Sequence, residues 1–183
     1  AETGGASGML RQADVDEFVV PAIEEASALG YVVILASHHA IDALTSDGGT
    51  FGSTQEGALL PDDFRALIGA YDHVLFSLVG HSHVHDVQPI QTPQGSAYWQ
   101  VMTAAIADFP HELRTIELWD GDNGWLMLRA TAVDIDTDGD TLAEQGRVYG
   151  LVDYTTGWSA VGNQPTAERV NVELWVRKPE GIP

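Results

Sequence analysis

The chain has 183 residues, with 27 acidic residues against eight basic ones and a net charge of −19. Such a negative surface repels nucleic acid and anionic membranes, which excludes both as partners on charge. The chain has no cysteine, which excludes disulfides, thiolate metal sites and cysteine nucleophiles. It also has no run of about 18 apolar residues that could span a membrane. The length suits one ordinary domain with its own core.

The same composition leaves localisation open. A lysine-poor, acidic surface fits a high-salt cytoplasm, a secreted or periplasmic setting, or simply good solubility. The first residues, AETGGASGML, contain no basic stretch followed by an apolar one, so we do not expect them to form a signal peptide. They also contain no initiator methionine, which predicts processing or a start within a longer protein.

The first part of the chain predicts helices alternating with buried strands. Apolar residues at helical spacing predict a helix over 11–29, which Pro21 kinks or breaks and Gly30 ends. Two continuous apolar runs predict strands that are buried on both faces. The elements in chain order are the helix 11–29, the strand 31–37 (YVVILAS), a glycine- and serine-rich loop over 45–58, a helix from Pro61 (PDDFRALIGAYD) and the strand 73–80 (HVLFSLVG).

The remainder predicts an antiparallel run and a less regular tail. Strand patterns separated by turn residues occur over 84–91, 96–104, 113–119 and 124–133. The tail predicts an acidic loop over 134–140, a short helix over 141–148 and a strand in RVNVELWV. With no linker in the sequence, we predict a domain over 1–133 and a C-terminal extension over 134–183 packed on it. Four tryptophans lie in strand-like segments and are expected in the core or on a sheet face: Trp99, Trp119, Trp125 and Trp175.

Histidines follow both buried strands. His38 and His39 end the first strand, while GHSHVH after the second strand places His81, His83 and His85 at alternate positions. Ligands of α/β sheets bind at the carboxyl ends of strands, so both groups are expected at one edge. In an extended segment, alternate residues share a face. Imidazoles from two neighbouring strands form a reasonable ligand set for a transition metal.

These two motifs resemble the last two motifs of the calcineurin-like metallophosphoesterases. In that family one strand ends in His-His, often followed by proline where this chain has Ala40, and a later strand ends in Gly-His-x-His. The segment TAAIADFPHELRTIELWDGDNGWLMLRA is similar to the family's closing strands. The resemblance covers roughly residues 8–133. It implies an α/β fold with a mixed sheet, namely the C-terminal half of a four-layer α/β/β/α sandwich.

The resemblance also implies a metal-dependent phosphoric ester hydrolase with two divalent ions, Mn, Fe or Zn. It assigns His38 and His81 to one ion and His83 to the other. His39 would lie beside the site as a catalytic group, and His85 would contact the substrate or support the ligands. No role is assigned to His73 or His111.

The family's earlier motifs, Asp-x-His, Gly-Asp and Gly-Asn-His, precede the strand-His motif in the family, and none of them occurs before His38 in this sequence. We therefore expect the aspartate ligands and the general acid to come from an N-terminal half, as a separate chain or a missing segment. The chain alone is expected to be inactive. The alternatives are a non-catalytic interaction half-domain that pairs with another chain, and a mononuclear histidine site of unrelated function.

The acidic loop DIDTDGD resembles the first half of an EF-hand loop. However, Gln145 occupies the position of the bidentate carboxylate. The sequence therefore favours an acidic turn and leaves calcium binding there open.

Overall fold

The protein is described by a computed structural model over residues 8–44, 56–156 and 167–183. Most of the predicted glycine-rich loop, residues 45–55, lies outside the described residues. Two compact units are present. The first comprises the described residues of 1–79, 88–100 and 178–183, and the second comprises residues 80–87 and 101–177.

The predicted N-terminal helix contains an irregular turn. It consists of α1 (Gln12–Asp14), a π-helical turn (Val15–Val19) and α2 (Val20–Ala28). Pro21 is the second residue of α2. Since proline lacks an N–H and its ring clashes with the carbonyl four residues earlier, the wider turn just before it accommodates the ring. Gly30 ends the helix with a φ of 71°, a conformation that glycine adopts without strain.

A four-stranded sheet follows in the order β1-β2-β4-β3. Its strands are β1 (Val33–Ala36), β2 (Val74–Val79), β3 (Asp86–Gln91) and β4 (Ala97–Met102). The first two strands are parallel. A 3-10 turn (Ile41–Ala43) and α3 (Pro61–Ile68) lie in the connection between them.

The core of the first unit is built from these elements. Its buried cluster consists of Ile23, Ile41, Ile68, Val74, Ile90 and Tyr98. Burial raises the pKa of the Tyr98 hydroxyl to about 12, because an apolar setting disfavours the phenolate. The apolar residues of α2, α3 and β2 thus hold the parallel strands in place.

The second unit contains a three-stranded antiparallel sheet, ordered β5-β6-β7. Its strands are β5 (Glu112–Asp120), β6 (Trp125–Asp134) and β7 (Val172–Arg177). The helix α4 (Thr141–Thr156) and a 3-10 turn (Ala167–Arg169) lie between the last two strands. One face of the sheet is buried through Leu126, Leu128, Ala130 and Leu174.

The predicted α/β class with a mixed sheet is confirmed, and a second antiparallel sheet accompanies it. The helix predicted over 141–148 continues to Thr156. The division at residue 133 and the identification of half a four-layer sandwich stay predictions. Among the described residues, no helix combines the length and apolar character that crossing a membrane requires.

Candidate metal centre

The two parallel strands bring their carboxyl ends to one edge of the sheet. Ala36 pairs with Leu78, and the Ser37 N–H donates a hydrogen bond of 3.1 Å to the Leu78 carbonyl. His38 and His39 follow directly. On the neighbouring strand, His81 comes two residues after the end of β2. The pairing therefore sets the distance between the two histidine segments.

Three histidines form a group that could hold a metal ion. His38, His39 and His81 each offer one ring nitrogen, and these nitrogens lie within 4.8 Å of one another. The rings of His38 and His39 are nearly perpendicular, at 89°, with centroids 4.9 Å apart. His38 is exposed and the other two are half-buried, so the group is accessible to a small ion.

The donor set fits a borderline-soft divalent metal. Zinc–nitrogen bonds of about 2.0–2.1 Å in a tetrahedral site place the ligand nitrogens about 3.3 Å apart. A separation of up to 4.8 Å is wider than that, and side-chain rotation can close the difference. Imidazole suits zinc, copper, iron and nickel. The group could therefore hold one metal ion of this class.

The loop that carries His81 is strained. His81 and His83 have φ angles of 73° and 57°, in the left-handed region that few residues other than glycine enter. Residues 80–85 form a loop before β3, so the expectation that His81 and His83 share the face of an extended segment is wrong. Strain of this kind concentrates at functional sites, where the surroundings hold it in place.

His83 does not belong to the three-histidine group. Its Nδ1 lies 2.7 Å from Oδ2 of Asp108. A carboxylate at this distance fixes the tautomer and orientation of the ring and directs its chemistry to Nε2. Asp108 lies 25 residues further along the chain, and no local pattern pointed to it. The ligand role predicted for His83 stays a prediction.

His85 is fully buried, and both of its ring nitrogens are engaged. The Ala104 N–H donates to Nδ1 at 3.3 Å, so the proton of the neutral ring is on Nε2, which donates to Glu112 at 2.9 Å. Burial, and secondarily the charge of Arg114, lowers the pKa of His85. These contacts support the loop, while the substrate contact predicted for His85 stays a prediction.

Arg114 anchors the same region of the second unit. The guanidinium donates to the carbonyls of Met102 and Val170, both at 2.9 Å. Burial lowers its pKa to about 10. Beside it, Arg169 forms an ion pair with Asp86 at 2.5 Å. The sequence alone offered no signal for this network.

Contacts within the first unit hold the turn after His39. The Gln100 side chain accepts a hydrogen bond of 2.9 Å from the Ile41 N–H, and Arg65 forms an ion pair with Asp42. A Cβ atom on Gly8 would lie 2.9 Å from Cβ of His39, so only glycine permits this approach. These residues position His39 indirectly, and sequence reasoning did not identify them.

A cavity of about 270 Å³ adjoins His38 and His39 in the first unit. Its walls are mostly apolar and include Leu35, Ile41 and Phe64, with Ser77 and Tyr98 as polar groups. Mostly apolar cavities with a few convergent polar groups are typical of small-molecule sites. The cavity therefore offers room beside the histidines for part of a ligand.

The acidic loop over 134–140 caps the adjacent helix α4 and forms an ion pair with it. Asp140 Oδ1 accepts hydrogen bonds from the N–H groups of Leu142 and Ala143 at 3.0 and 3.1 Å, which caps α4. Asp134 forms an ion pair with Arg147 at 2.6 Å. These contacts account for two of the carboxylates and agree with the favoured interpretation of an acidic turn.

Fold and site together define a mixed α/β protein with a three-histidine group that could hold a metal ion. No protein-family model matches the sequence, and no curated protein is similar to it. The metallophosphoesterase resemblance therefore rests on the two histidine motifs and on the closing-strand segment after them.

Proposed function

We propose that this chain supplies histidine ligands to a metal-dependent phosphoric ester hydrolase. The observation that carries the proposal is the convergence of His38, His39 and His81 ring nitrogens to within 4.8 Å. Three protein ligands leave a coordination position for water or substrate, which distinguishes catalytic from closed structural sites. His39, predicted from the sequence to lie beside the site, joins the ligand set in this proposal.

His83 supplies the ligand for a second ion. Ligating histidines usually donate their other ring N–H to a carboxylate, which holds the ring in place. The 2.7 Å contact between His83 Nδ1 and Asp108 is an arrangement of this kind and leaves Nε2 for the ion. When bound, divalent ions supply Lewis acidity, which polarises phosphoryl oxygens and activates water.

The choice of phosphate esters as substrates is supported by the spacing of the histidine motifs, and bound cations are needed to offset the negative charge of the chain. A chain with a net charge of −19 repels a phosphate group over most of its surface. Bound cations are the largest local charges in such a site and reverse the local potential. The exposed His38 and the adjoining cavity give the ester an approach to that position.

The remaining ligands come from the N-terminal half inferred from the missing motifs, either as a separate chain or as a missing segment of the same one. Among the described strands, β1 pairs only with β2 and forms the edge of its sheet. Parallel strands are normally covered on both sides, and an apolar edge strand readily pairs with another chain. The VILA sequence of β1 suits a strand added next to it.

Hydrolysis of bis-p-nitrophenyl phosphate with added Mn²⁺ tests the proposal. We expect negligible turnover by the chain alone and metal-dependent turnover by a form that includes the N-terminal half. In that form His81→Ala should abolish activity, whereas His73→Gln, at the opposite end of β2, should retain it. Equal activity in the two variants would contradict the assignment, and robust turnover by the chain alone would refute the missing-ligand inference.

A further inference from the structure

The cavity beside His38 and His39 differs in character between its floor and its mouth. Two of its lining residues, Ile41 and Tyr98, are only 4% and 3% exposed and belong to the buried core of the first unit. Two others, Met9 and His38, are exposed. The cavity therefore opens to solvent on the side of the histidines and ends inside the core.

The lining of this cavity favours an apolar ligand. Among the described residues that line it, there is no lysine, arginine, aspartate or glutamate. A sugar or a second phosphate group placed there would lose its hydration without gaining matching partners, whereas an apolar group gains free energy by leaving water. Most of the wall consists of aliphatic and aromatic side chains, among them Met9, Leu10, Val19, Leu35, Leu44 and Phe64.

Three hydroxyl groups also line the cavity, and each of them is neutral. Ser37 Oγ donates a hydrogen bond of 2.9 Å to the carbonyl of His39, which holds the histidine segment in place. Since burial raises the pKa of Tyr98 to about 12, its hydroxyl keeps its proton at neutral pH and remains a hydrogen-bond donor. Together with Ser77, Tyr98 can orient one polar atom of an otherwise apolar ligand.

The volume of the cavity limits the size of the ligand. At about 270 Å³ it is larger than the engineered apolar cavity of about 150 Å³ that binds benzene in another protein. It is smaller than most sites for drug-sized molecules, which measure about 300–1,000 Å³. One aromatic ring, or an alkyl group of similar size, fits this volume, whereas a nucleoside is too large and too polar for it.

We propose that this cavity binds the apolar organic group of a phosphate ester, a group about the size of one aromatic ring. His38 and His39 belong both to the cavity lining and to the three-histidine group. An ester whose phosphate lies at the histidines therefore has its organic group at the mouth of the cavity. The substrate class is phosphate esters of small phenols and apolar alcohols, rather than of sugars, glycerol or nucleosides.

The phosphate part of this assignment rests on the proposed hydrolase, whereas the binding of the apolar group does not. Hydrolysis breaks the bond between phosphorus and the ester oxygen. Water supplies an oxygen atom to the phosphate and a proton to the leaving oxygen, so the free phenol or alcohol remains in the cavity. The product alcohol is therefore a probe of the cavity that needs neither phosphate nor metal.

Titration of the chain with benzyl alcohol, followed by protein NMR, tests the cavity. We expect saturable binding with a Kd of about 0.1–10 mM, as suits so small a ligand, and no saturable binding of glycerol. Val19→Phe adds volume to the cavity wall and should weaken binding at least about 10-fold. Leu44→Phe fills the cavity from the turn after His39 and should act in the same direction. The matched control, Val148→Phe, makes the same change at an exposed position of α4 and should bind within about 2-fold of the wild type.

Hydrolysis of benzyl phosphate and glycerol 1-phosphate tests the substrate class. Both esters release an alcohol of similar basicity, so the ratio of their kcat/KM values reports recognition of the organic group. In the form that includes the N-terminal half, with Mn²⁺, benzyl phosphate should be favoured at least about 10-fold. Val19→Phe should reduce this ratio to within about 3-fold of unity, while Val148→Phe should keep the wild-type ratio.

The outcomes distinguish this proposal from the proposed function. Absence of benzyl alcohol binding by the folded chain, or equal weakening by Val19→Phe and Val148→Phe, overturns the cavity assignment even if esters are hydrolysed. Turnover without preference for benzyl phosphate overturns the substrate class. Binding of benzyl alcohol as expected, without metal-dependent turnover of any ester, supports the apolar site and refutes the hydrolase. Circular dichroism and urea unfolding of every variant establish that the comparison is made between folded proteins.

Discussion

The histidines of this chain fall into two environments that sequence spacing does not separate. His38, His39 and His81 follow strand ends, and their ring nitrogens converge to within 4.8 Å of one another. His85, in the same alternation as His81, is fully buried with one nitrogen accepting from Ala104 and the other donating to Glu112. The first environment has the geometry of a metal-ligand group, whereas in the second both ring nitrogens are used within the protein.

The difference shows that burial and hydrogen-bond partners, rather than motif membership, separate a candidate ligand from a structural histidine. A histidine with both nitrogens bound inside the protein must lose those bonds before it can act elsewhere, which costs about 1–3 kcal/mol for each buried group left unsatisfied. At an exposed histidine such as His38, water replaces a lost hydrogen bond, so this cost is smaller.

The largest effect on stability is expected from His85→Ala. The substitution removes a fully buried ring and leaves the Ala104 N–H and the Glu112 carboxylate without that partner. We expect the free energy of unfolding in urea to fall by about 2–4 kcal/mol. His38→Ala, at an exposed position, should change it by no more than about 0.5 kcal/mol. Similar losses of unfolding free energy in the two variants would contradict the proposed difference between the buried His85 and the exposed His38.

The next largest effect extends the contrast to His111, a buried histidine that packs on α4. A Cβ atom on Gly150 would lie 2.1 Å from His111 Nε2, whereas one on Gly146 would meet nothing within 4 Å. Gly150→Ala should therefore destabilise the protein by about 1–3 kcal/mol through overpacking. In the same helix, Gly146→Ala should stabilise it by up to about 1 kcal/mol. Thermal unfolding of the pair measures the difference, and equal shifts would count against this packing.

The smallest effect is the pH dependence contributed by His85. Burial lowers its pKa, so folding favours the neutral ring. Its contribution to the free energy of unfolding is fully present above the ordinary histidine pKa of about 6.5. The contribution is lost as the pH falls through the lower pKa that His85 has in the folded protein. The melting temperature of the wild type should therefore fall more steeply between about pH 7 and pH 5 than that of His85→Gln. A steeper fall in His85→Gln would reverse the predicted sign.

The sequence predicted the parallel strands and the place where the histidines meet. YVVILAS and HVLFSLVG are continuous apolar runs whose lengths favour strands. The prediction that both strands are buried on both faces is confirmed for β2 but is wrong for β1, where half-buried and exposed residues alternate, because β1 is the edge strand of its sheet among the described residues. The backbone of the loop after Gly80 was not predictable, since histidine at positive φ carries no sequence signal. The contacts of Asp108, Glu112 and Gln100 could not be predicted from the sequence either, because they join segments 19 or more residues apart.

The most direct test of the candidate metal centre is a titration of the chain with Co²⁺, followed by its visible absorption. We expect one ion per chain. His38→Ala and His81→Ala should each weaken binding by at least about 100-fold, beyond the ~10–100-fold typical of losing a supporting hydrogen bond. His73→Gln, outside the group of three, should bind within about 2-fold of the wild type. Binding that is unchanged in His38→Ala and His81→Ala, or no binding at all by the folded chain, would contradict the proposed centre.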